Sequence, residues 1–455
     1  MGLLCLNNHG RDELISLVCR NEPIDYGRIY FCEELANSYQ HSSFLPNRAA
    51  VISPQSRLVE DLTVADNVFV LRSNFHKYLI NSAELEGQFD YLKKEIGVDI
   101  SGAEYVRNLS AFERCTVELI KAVATGARLV ILLDMNNTIS ASELARFQGY
   151  LHFYASRKNI SFLYLCNHHQ ESVKVCDRIS LMENGHVLFI KEKKDFNEDI
   201  VWHYCWNFAG ISASGRAEKH SEPVLEFRDV STENMNHLSF SAAKGECIGL
   251  WDLDNKILKE IMQTMSRDFV PESGEILLSG DSLQKISAKA TFLKAAFINE
   301  DPVRTMIYKD FNVIQNLYFL LDEREKIRPF HSDVVKSIYQ EYEPLMGTAV
   351  YANDVRLLPL RSLYDIVYYR VHLLHPNVVF IMQPFYNADM YLREHIIQLL
   401  NELKKHGIAI VLLSINVSDM LFVVDRLLQV EGGTITHEYD SSEFSSIQSL
   451  PPRNG

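Results

Sequence analysis

The feature of this sequence that most constrains its fold is an internal repeat. The dipeptide Gly2-Leu3 matches Gly249-Leu250, and later matches follow at a nearly constant offset of about 248 residues. The other matching segments are Glu13-Leu14 with Glu260-Ile261, Gly27-Arg28-Ile29 with Gly274-Glu275-Ile276, Val64 and Asn67 with Val313 and Asn316, and Leu129–Leu133 with Val378–Met382. Matches in a constant order and spacing indicate two copies of one structural unit, each roughly 220 residues long.

Short apolar runs alternate with helical patterns inside each copy. Apolar runs of this length, bounded by charged segments, are typical of buried parallel strands. The predicted strands are Leu129–Leu133, Phe162–Leu165, Val378–Met382 and Ile408–Leu413, and the predicted helices include Glu113–Thr125 and Met390–Lys405. This alternation predicts an α/β fold with a mostly parallel sheet in each copy.

Changes in composition mark the boundaries of the two predicted domains. We expect a first domain at 1–206 and a second at 223–440, joined by the small, polar stretch 207–222, which is typical of a linker. The last residues, 441–455, are predicted to be a flexible tail. The second copy begins with Glu222–Ile248, about 27 residues without a counterpart in the first copy, so the first domain is expected to lack its initial strands.

Charge and hydropathy exclude several classes of function. The 455 residues carry a formal net charge of −14, so nucleic acid is not an expected partner. No apolar stretch approaches the ~20 residues that span a bilayer, and the start Met-Gly-Leu-Leu-Cys lacks the basic region of a signal peptide. The eight cysteines show no Cys-x-x-Cys pair and no zinc-site spacing, so we predict no metal site. We expect a cytoplasmic protein with buried thiols.

Several short segments carry a resemblance to a known family. Leu62–Asn67 resembles the LTVAEN stretch of sugar-import ABC ATPases, Leu109–Glu113 lies at the position of their LSVGE signature, Cys176–Arg178 with Glu183–Gly185 resembles their CDR…DG segment, and Asn299–Arg304 resembles their PEDRKR segment. In order and spacing, residues 1–440 are similar to the tandem ABC transporter ATP-binding proteins of the ribose, galactose and xylose import class. The resemblance implies two ABC-ATPase-like domains of the P-loop NTPase type, each with a parallel sheet and a helical subdomain.

In such a family the loop after the first strand wraps the phosphates of ATP with backbone N–H groups, a Lys and a Mg²⁺-binding hydroxyl. The residues of the first copy at this loop are Asn8, Gly10, Arg11, Asp12 and Glu13. Only one glycine remains, Arg11 has the lysine position, and Asp12 replaces the hydroxyl residue and would repel phosphate. One interpretation is an ordinary capped turn between strand and helix. The other is weak binding of ATP and Mg²⁺, because Gly10-Arg11-x-Glu13-Leu14 resembles the GRTEL of the family's second half.

The same loop of the second copy departs further from the family pattern. Its segment Asn255–Glu260 contains no glycine, and Ile257 and Leu258 are expected to put side chains where the phosphates would lie. Lys256 and Lys259 are either phosphate ligands or, as we expect, ordinary surface lysines of a helix.

Hydrolysis needs an Asp that holds Mg²⁺ through water and a following Glu that polarises the attacking water. The resemblance places these two roles at Leu133 and Asp134 in the first copy and at Met382 and Gln383 in the second. The family's switch histidine corresponds to Asn167 and Ile415, and a shift of one residue would bring His168 into that position instead. These relic positions lack the groups that the chemistry requires, so we predict no catalytic residue.

The signature loops, at which glycines let a helix N-terminus approach the γ-phosphate, have also changed. They contain Ala111-Phe112 in the first copy and Pro359-Leu360-Arg361 in the second. We therefore expect a catalytically degenerate relative, a pseudo-ATPase with a scaffolding or regulatory role linked to carbohydrate uptake and with no required cofactor. One alternative is an ATP-binding subunit that works with an active paralogue and a membrane permease. Another is a regulator that senses nucleotide or sugar.

The resemblance also identifies candidate contacts to a permease. The family meets its permease near the segments that here contain Gln55, Glu300 and Asp301. Protein partners are therefore expected, either a permease or a paralogous ATPase subunit. Association with the inner face of the cell membrane would occur only through the permease.

Overall fold

The computed structural model describes residues 1–20, 22–31, 33–38, 41–42, 48–70, 81–135, 139–166, 175–196, 223–321, 332–417, 419–444 and 447. The chain divides into two compact units, which begin at Met1 and at Trp206. The predicted linker 207–222, the end of the predicted tail and Asn167 with His168 lie outside the described residues. Among the helices described, none is both long and apolar enough to cross a bilayer.

A six-stranded sheet forms the centre of the first unit. The strands of this unit are β1 (Gly2–Cys5), β2 (Arg28–Phe31), β3 (Glu34–Ser38), β4 (His41–Ser42), β5 (Ala49–Ile52), β6 (Leu129–Leu133), β7 (Ser161–Cys166), β8 (Arg178–Glu183) and β9 (His186–Glu192). The central sheet has the order β5-β6-β7-β1-β8-β9, in which only β9 is antiparallel to its neighbour. Strands β2, β3 and β4 form a separate antiparallel sheet.

The described residues of the first unit also form five helices. They are α1 (Arg11–Arg20), α2 (Val64–Phe69), α3 (Ser82–Ile96), α4 (Ala111–Ala124) and α5 (Ala141–Lys158). Helix α4 begins where it does because Ser110 and Glu113 form a reciprocal capping box, and Ser140 and Glu143 do the same for α5.

The second unit repeats this plan with an additional hairpin at its start. Its strands are β10 (Pro223–Ser231), β11 (Leu238–Ala243), β12 (Cys247–Asp252), β13 (Ser273–Leu278), β14 (Asp281–Ser282), β15 (Ala295–Ile298), β16 (Val378–Met382), β17 (Ala409–Ser414), β18 (Arg426–Glu431) and β19 (Thr434–Asp440). The central sheet has the order β15-β16-β17-β12-β18-β19, which corresponds strand for strand to the sheet of the first unit. A second sheet has the order β11-β10-β13-β14.

The helices of the second unit pack around a large apolar core. They are α6 (Leu258–Ser266), α7 (Ala288–Lys294), α8 (Pro302–Met306), α9 (Val313–Tyr318), α10 (Ser332–Met346), α11 (Leu360–Leu374) and α12 (Met390–Lys405). Strand β17 is buried along its whole length, as expected for a parallel strand covered on both faces. The predicted α/β fold with a mostly parallel sheet in each copy is confirmed.

One expectation about the end of the chain is wrong. The segment predicted as a tail continues as a 3₁₀ turn at Ser441–Glu443, and Phe444 and Ile447 are buried in the core of the second unit. Burial of these two apolar side chains stabilises them against the core, so the expectation is wrong at Phe444 and Ile447, and residues 448–455 lie outside the described residues.

Candidate functional site

The loop between β1 and α1 is the place where a phosphate site would form in the first unit. Gly10 has φ +80°, and a Cβ at this position would lie 2.7 Å from the Cα of Gly185, so only glycine fits. The loop is also tied to the β8–β9 turn, because the Asn7 amide donates to Asn184 Oδ1 at 2.9 Å. The one glycine that remains in this loop therefore has a packing role.

Arg11 begins α1 and forms a buried ion pair with Asp134. Its Nη2 lies 2.5 Å from Asp134 Oδ2, and the two side chains are 10% and 3% exposed. Nη1 also donates to Asn8 Oδ1 at 3.3 Å. Burial lowers the pKa of Arg11, but the neighbouring Asp134 carboxylate raises it to a net value above the ordinary one. The guanidinium of Arg11 is thus bound by the carboxylate of Asp134, and these are the residues that the resemblance aligns with the phosphate-loop lysine and the catalytic base.

The other predicted loop residues do not join this pair. Asp12 and Glu13 are exposed on the first turn of α1, where acidic side chains interact favourably with the helix dipole. Their placement is that of an ordinary helix start, so the structure brings together Asn8, Arg11 and Asp134 but not Asp12 or Glu13.

In the second unit, an aspartate fills the corresponding loop. Asp252, the last residue of β12, is 1% exposed, and its carboxylate accepts three backbone N–H groups of the loop that follows. The donors are Asp254 at 3.1 Å, Lys256 at 2.7 Å and Ile257 at 2.9 Å. Burial is the main cause that raises the pKa of Asp252, and these hydrogen bonds oppose it. Backbone N–H groups of this loop, which bind phosphate in a working site, here bind a carboxylate of the same chain.

The exposure of four side chains in this second loop tests two expectations about it. Ile257 and Leu258 are 0% and 1% exposed and belong to the apolar core, so the expectation that they project into the phosphate position is wrong. Lys256 and Lys259 are exposed, as expected for surface lysines.

The positions of the catalytic base share an unusual backbone conformation in the two units. Asp134 has φ +42° and Gln383 has φ +47°, and each follows the last residue of its strand. Gln383 is buried and accepts a hydrogen bond from Ser414 Oγ at 3.1 Å. Leu133 and Met382, at the metal-holding positions, are half-buried and have no oxygen ligand to offer.

The switch position of the second unit is an apolar core residue. Ile415 is 4% exposed, and its carbonyl oxygen accepts the indole N–H of Trp251 at 3.1 Å. No imidazole lies at this position, which leaves it without a group that donates or accepts protons.

The signature loops are ordinary helix starts. In the first unit Phe112 is buried, with the Arg146 guanidinium 4.8 Å from its ring centre. In the second, Pro359 precedes α11 without a side-chain cap, and Leu360 is 46% exposed. Neither loop has the glycines that would let its backbone approach a phosphate.

The candidate contacts to a permease lie at one edge of each central sheet. Gln55 is exposed just beyond β5, and Glu300 and Asp301 follow β15, the corresponding edge strand. Asp301 accepts the backbone N–H of Arg304 at 3.3 Å and caps α8. Burial, followed by the nearby Asp301, raises the pKa of Glu300. Their role in binding stays a prediction.

Sequence reasoning missed Asp252. The available signal was an acidic residue at the end of an apolar strand, directly before the loop that should wrap phosphate. A carboxylate there cannot remain in a buried position unless it is hydrogen-bonded.

The described residues form two repeated α/β units, each with a mostly parallel sheet whose central strand leads through a loop into a helix. No family model matches the chain. Its homologues are ribose and xylose import ATP-binding proteins, and the similarity covers nearly the whole chain. The resemblance inferred from the short segments is therefore confirmed.

The individual relatives have low sequence identity to this chain, but the similarity extends over most of both chains. The ribose import ATP-binding protein RbsA of Clostridium perfringens is 22% identical over 96% of this chain and 89% of its own length. The xylose import ATP-binding protein XylG of Moorella thermoacetica is 24% identical over 87% and 81%, and RbsA of Bacillus licheniformis is 23% identical over 96% and 90%. Among solved structures, MJ1267, an ATP-binding cassette of an ABC transporter in its ADP conformation, matches 51% of this chain and 96% of its own with 15% identity and a TM-score of 0.44.

Proposed function

We propose that this chain is a pseudo-ATPase, a relative of sugar-import ATP-binding proteins that keeps the two-unit fold and acts as a scaffolding or regulatory subunit in carbohydrate uptake. One observation carries the proposal: in each unit, a carboxylate of the chain is bound to the groups that would receive phosphate. Asp134 is paired with Arg11, and Asp252 accepts the N–H groups of its loop.

In either unit, a phosphate would have to displace the carboxylate of that unit before it could bind. Displacement of Asp134 from Arg11 leaves an unpaired buried charge, which costs about 3–5 kcal/mol. The groups for hydrolysis would still be absent, because Gln383 carries no negative charge to activate water and Leu133 and Met382 cannot hold a metal. We therefore expect no required cofactor.

The test is equilibrium binding of Mg-ATP to the purified chain by calorimetry, up to several millimolar nucleotide, together with an assay of ATP hydrolysis. We expect neither binding heat nor turnover, with RbsA of Clostridium perfringens as the positive control in the same buffers. Turnover near that of the control, abolished by Arg11→Ala, would falsify the proposal. Saturable binding without turnover would favour a nucleotide sensor.

A second candidate is an ATP-binding subunit that energises import together with an active paralogue and a membrane permease. The relatives support it, because their names describe import of ribose and xylose. The test is copurification of the chain with a permease. This candidate is favoured if the double variant Gln55→Ala with Asp301→Ala weakens copurification and the exposed-surface control Glu272→Ala does not. The permease would then be the route to the membrane surface.

A further inference from the structure

Three helices of the second unit, α10, α11 and α12, meet at a group of tyrosine and histidine side chains. His372 of α11 lies at the centre of this group and is 9% exposed. Its Nδ1 lies 2.7 Å from the hydroxyl of Tyr342, a residue of α10 whose side chain is fully buried. The ring of Tyr369, also on α11, packs against both, with its centre 5.4 Å from that of Tyr342 and 6.3 Å from that of His372. A buried hydrogen bond therefore joins α10 to α11.

A second imidazole covers His372 from the side of α12. His406 directly follows the last residue of α12, and its ring lies edge to face with the ring of His372, with the centres 4.1 Å apart. The Nδ1 of His406 lies 2.9 Å from the carbonyl oxygen of Glu402. Two imidazoles at this distance pack together while both are neutral, and they repel each other when both carry a proton.

The charged groups around His372 do not compensate for its burial. On α10, Glu341 Oε1 lies 4.0 Å from Nδ1, at the limit of an ion pair, and the Glu341 side chain is 52% exposed. Glu402 of α12 favours the charged form of His372, whereas His406 and His375, which directly follows α11, disfavour it. Burial is the largest influence, followed by His406, and together they lower the pKa of His372 to about 4.

A buried histidine elsewhere in the α11–α12 contact has a different environment. His395 Nε2 of α12 lies 2.6 Å from Asp365 Oδ1 of α11, and the two side chains are 8% and 9% exposed. A proton on His395 would be held in a direct ion pair. His372, in contrast, has its short hydrogen bond with a neutral hydroxyl. A proton on His372 therefore places a charge in a buried site that is not built to hold one.

The first unit shows that this place in the fold does not need a histidine for packing. At the offset of 249 residues that relates β6 to β16 and α5 to α12, His372 corresponds to Val123 and Tyr369 corresponds to Ile120. Ile120 is buried and Val123 is partly buried, and both pack in apolar cores. An apolar side chain therefore suffices here, and the imidazole of the second unit adds a group that takes up a proton in mildly acidic solution.

The pH dependence of the contact follows from where the proton is bound more tightly. When α10 separates from α11, water reaches His372, which recovers an ordinary histidine pKa of about 6.5. The packed state has the lower pKa, so its stability is complete above about pH 6.5 and is lost progressively as the pH falls toward 4. Protonation also gives the ring an N–H at both nitrogens, so the Tyr342 hydroxyl can no longer donate to Nδ1.

We propose that His372, with Tyr342 and His406, forms a pH-sensitive switch that holds α10 against α11 at neutral pH and releases α10 in acid. Release exposes the inner face of α10, so acid changes the surface that the second unit presents. The first unit has Val123 at the corresponding place, and we expect no such response there. The switch uses the packing of the second unit alone and is independent of whether the chain binds ATP.

The experiment measures hydrogen exchange of the α10 amides in the full chain at pH 7 and at pH 5. Each rate is divided by the intrinsic exchange rate at the same pH, which leaves the opening constant of the helix. We expect this opening constant to rise by about tenfold or more at pH 5. The amides of α4 in the first unit are the internal reference and should show no comparable rise.

A double variant identifies the group that takes up the proton. His372→Val gives α11 the residue of the first unit, and Tyr342→Phe removes the hydroxyl that would otherwise lose its partner. The opening constant of α10 in this double variant should be the same at pH 7 and pH 5. The control His437→Gln removes an exposed histidine of β19 and should keep the full rise. An equal rise in the double variant, or no rise in the wild type, would overturn the proposal.

A titration of the wild type keeps the proposal testable if the double variant does not fold. Histidine side chains labelled with ¹⁵N are followed by NMR, and the signal of His372 is assigned by its loss in His372→Gln. We expect His372 to stay neutral down to about pH 5 while α10 remains packed. A midpoint near the ordinary value of about 6.5 in the packed protein would contradict the switch.

Discussion

The two units fill the same loop with different chemistry. In the first unit a side-chain cation, Arg11, is bound by Asp134, which follows β6, a strand separated from β1 by β7 in the sheet. In the corresponding loop of the second unit Lys256 is exposed, and Asp252 instead binds the backbone N–H groups of the loop itself. The loop of the first unit is filled by an ion pair between two side chains. The loop of the second unit is filled by a carboxylate that accepts hydrogen bonds from the loop backbone.

The difference shows which part of a phosphate site remains in each unit. A phosphate loop contains two positive elements, a charged side chain and a set of converging backbone N–H groups. When either element is buried without a phosphate, its positive potential must be neutralised by another group. The first unit has kept the cation and the second has kept the N–H groups. In each unit an aspartate binds the positive group, Arg11 in the first and the loop N–H groups in the second, so both loops still contain an anionic group.

The largest expected effect tests the ion pair of the first unit. Arg11→Met should lower the free energy of unfolding of this unit by about 3–5 kcal/mol, because Asp134 would be left charged and buried without a partner. Hydrogen exchange of β1 and β6 measures it. Arg20→Met, at the exposed end of α1, is the control. The double variant Arg11→Met with Asp134→Leu should regain most of the loss, and no recovery would contradict a pairwise origin.

The corresponding test in the second unit removes its carboxylate. Asp252→Ala leaves three loop N–H groups without their acceptor and should destabilise the β12–α6 connection by about 2–4 kcal/mol. Added sulfate or pyrophosphate should restore part of this stability in the variant and have no effect on the wild type. Glu272→Ala serves as the exposed control. If the anions stabilise both proteins equally, Asp252 does not occupy the anion site.

A gain-of-function variant tests whether the missing acidic side chain at position 383 is the only feature that prevents ATP hydrolysis in the second unit. Gln383→Glu restores the acidic side chain, yet we expect no ATP turnover because Asp252 still fills the loop and Met382 still cannot help to hold Mg²⁺. Turnover is measured as phosphate release under saturating Mg-ATP. A measurable rate in this single variant would mean that the closed loop does not exclude nucleotide.

The smallest effect is the pH dependence of Asp252. Its pKa is raised in the folded unit, so the folded state binds a proton more readily than the unfolded state does. Ionisation of Asp252 therefore costs stability at neutral pH, and this cost disappears as the pH falls toward the ordinary aspartate pKa of about 4. The stability of the wild type relative to Asp252→Asn should rise between pH 7 and about 4. A difference that is constant across this window would contradict a raised pKa.

The sequence was sufficient to predict the architecture. Apolar runs placed β6 and β16 with the observed bounds, and the period of Met390–Lys405 placed α12 with its observed ends, because burial on both faces of a sheet leaves little choice of residues. These are properties of periodicity and order, which a single sequence contains.

The sites depended on contacts that periodicity does not encode. Arg11 and Asp134 are far apart in the chain, and only the β1–β7–β6 order of the sheet brings them together. Asp252 was missed because an aspartate at a strand end is usually a turn residue exposed to water. Ile257 and Leu258 were misplaced because the direction of a loop side chain depends on the local backbone, which composition does not fix.

The acidic group that fills the second loop is the side chain of Asp252, so it is covalently attached to the protein. A nucleotide must compete with a group held at a very high effective concentration, and its apparent affinity falls by the fraction of time for which the loop is vacant. Under the proposed function, occupancy of such a loop would not follow the cellular level of ATP. If the proposed function is right, ATP would not switch the second unit between states, so a partner would meet the same surface in a starved cell and in a well-fed one.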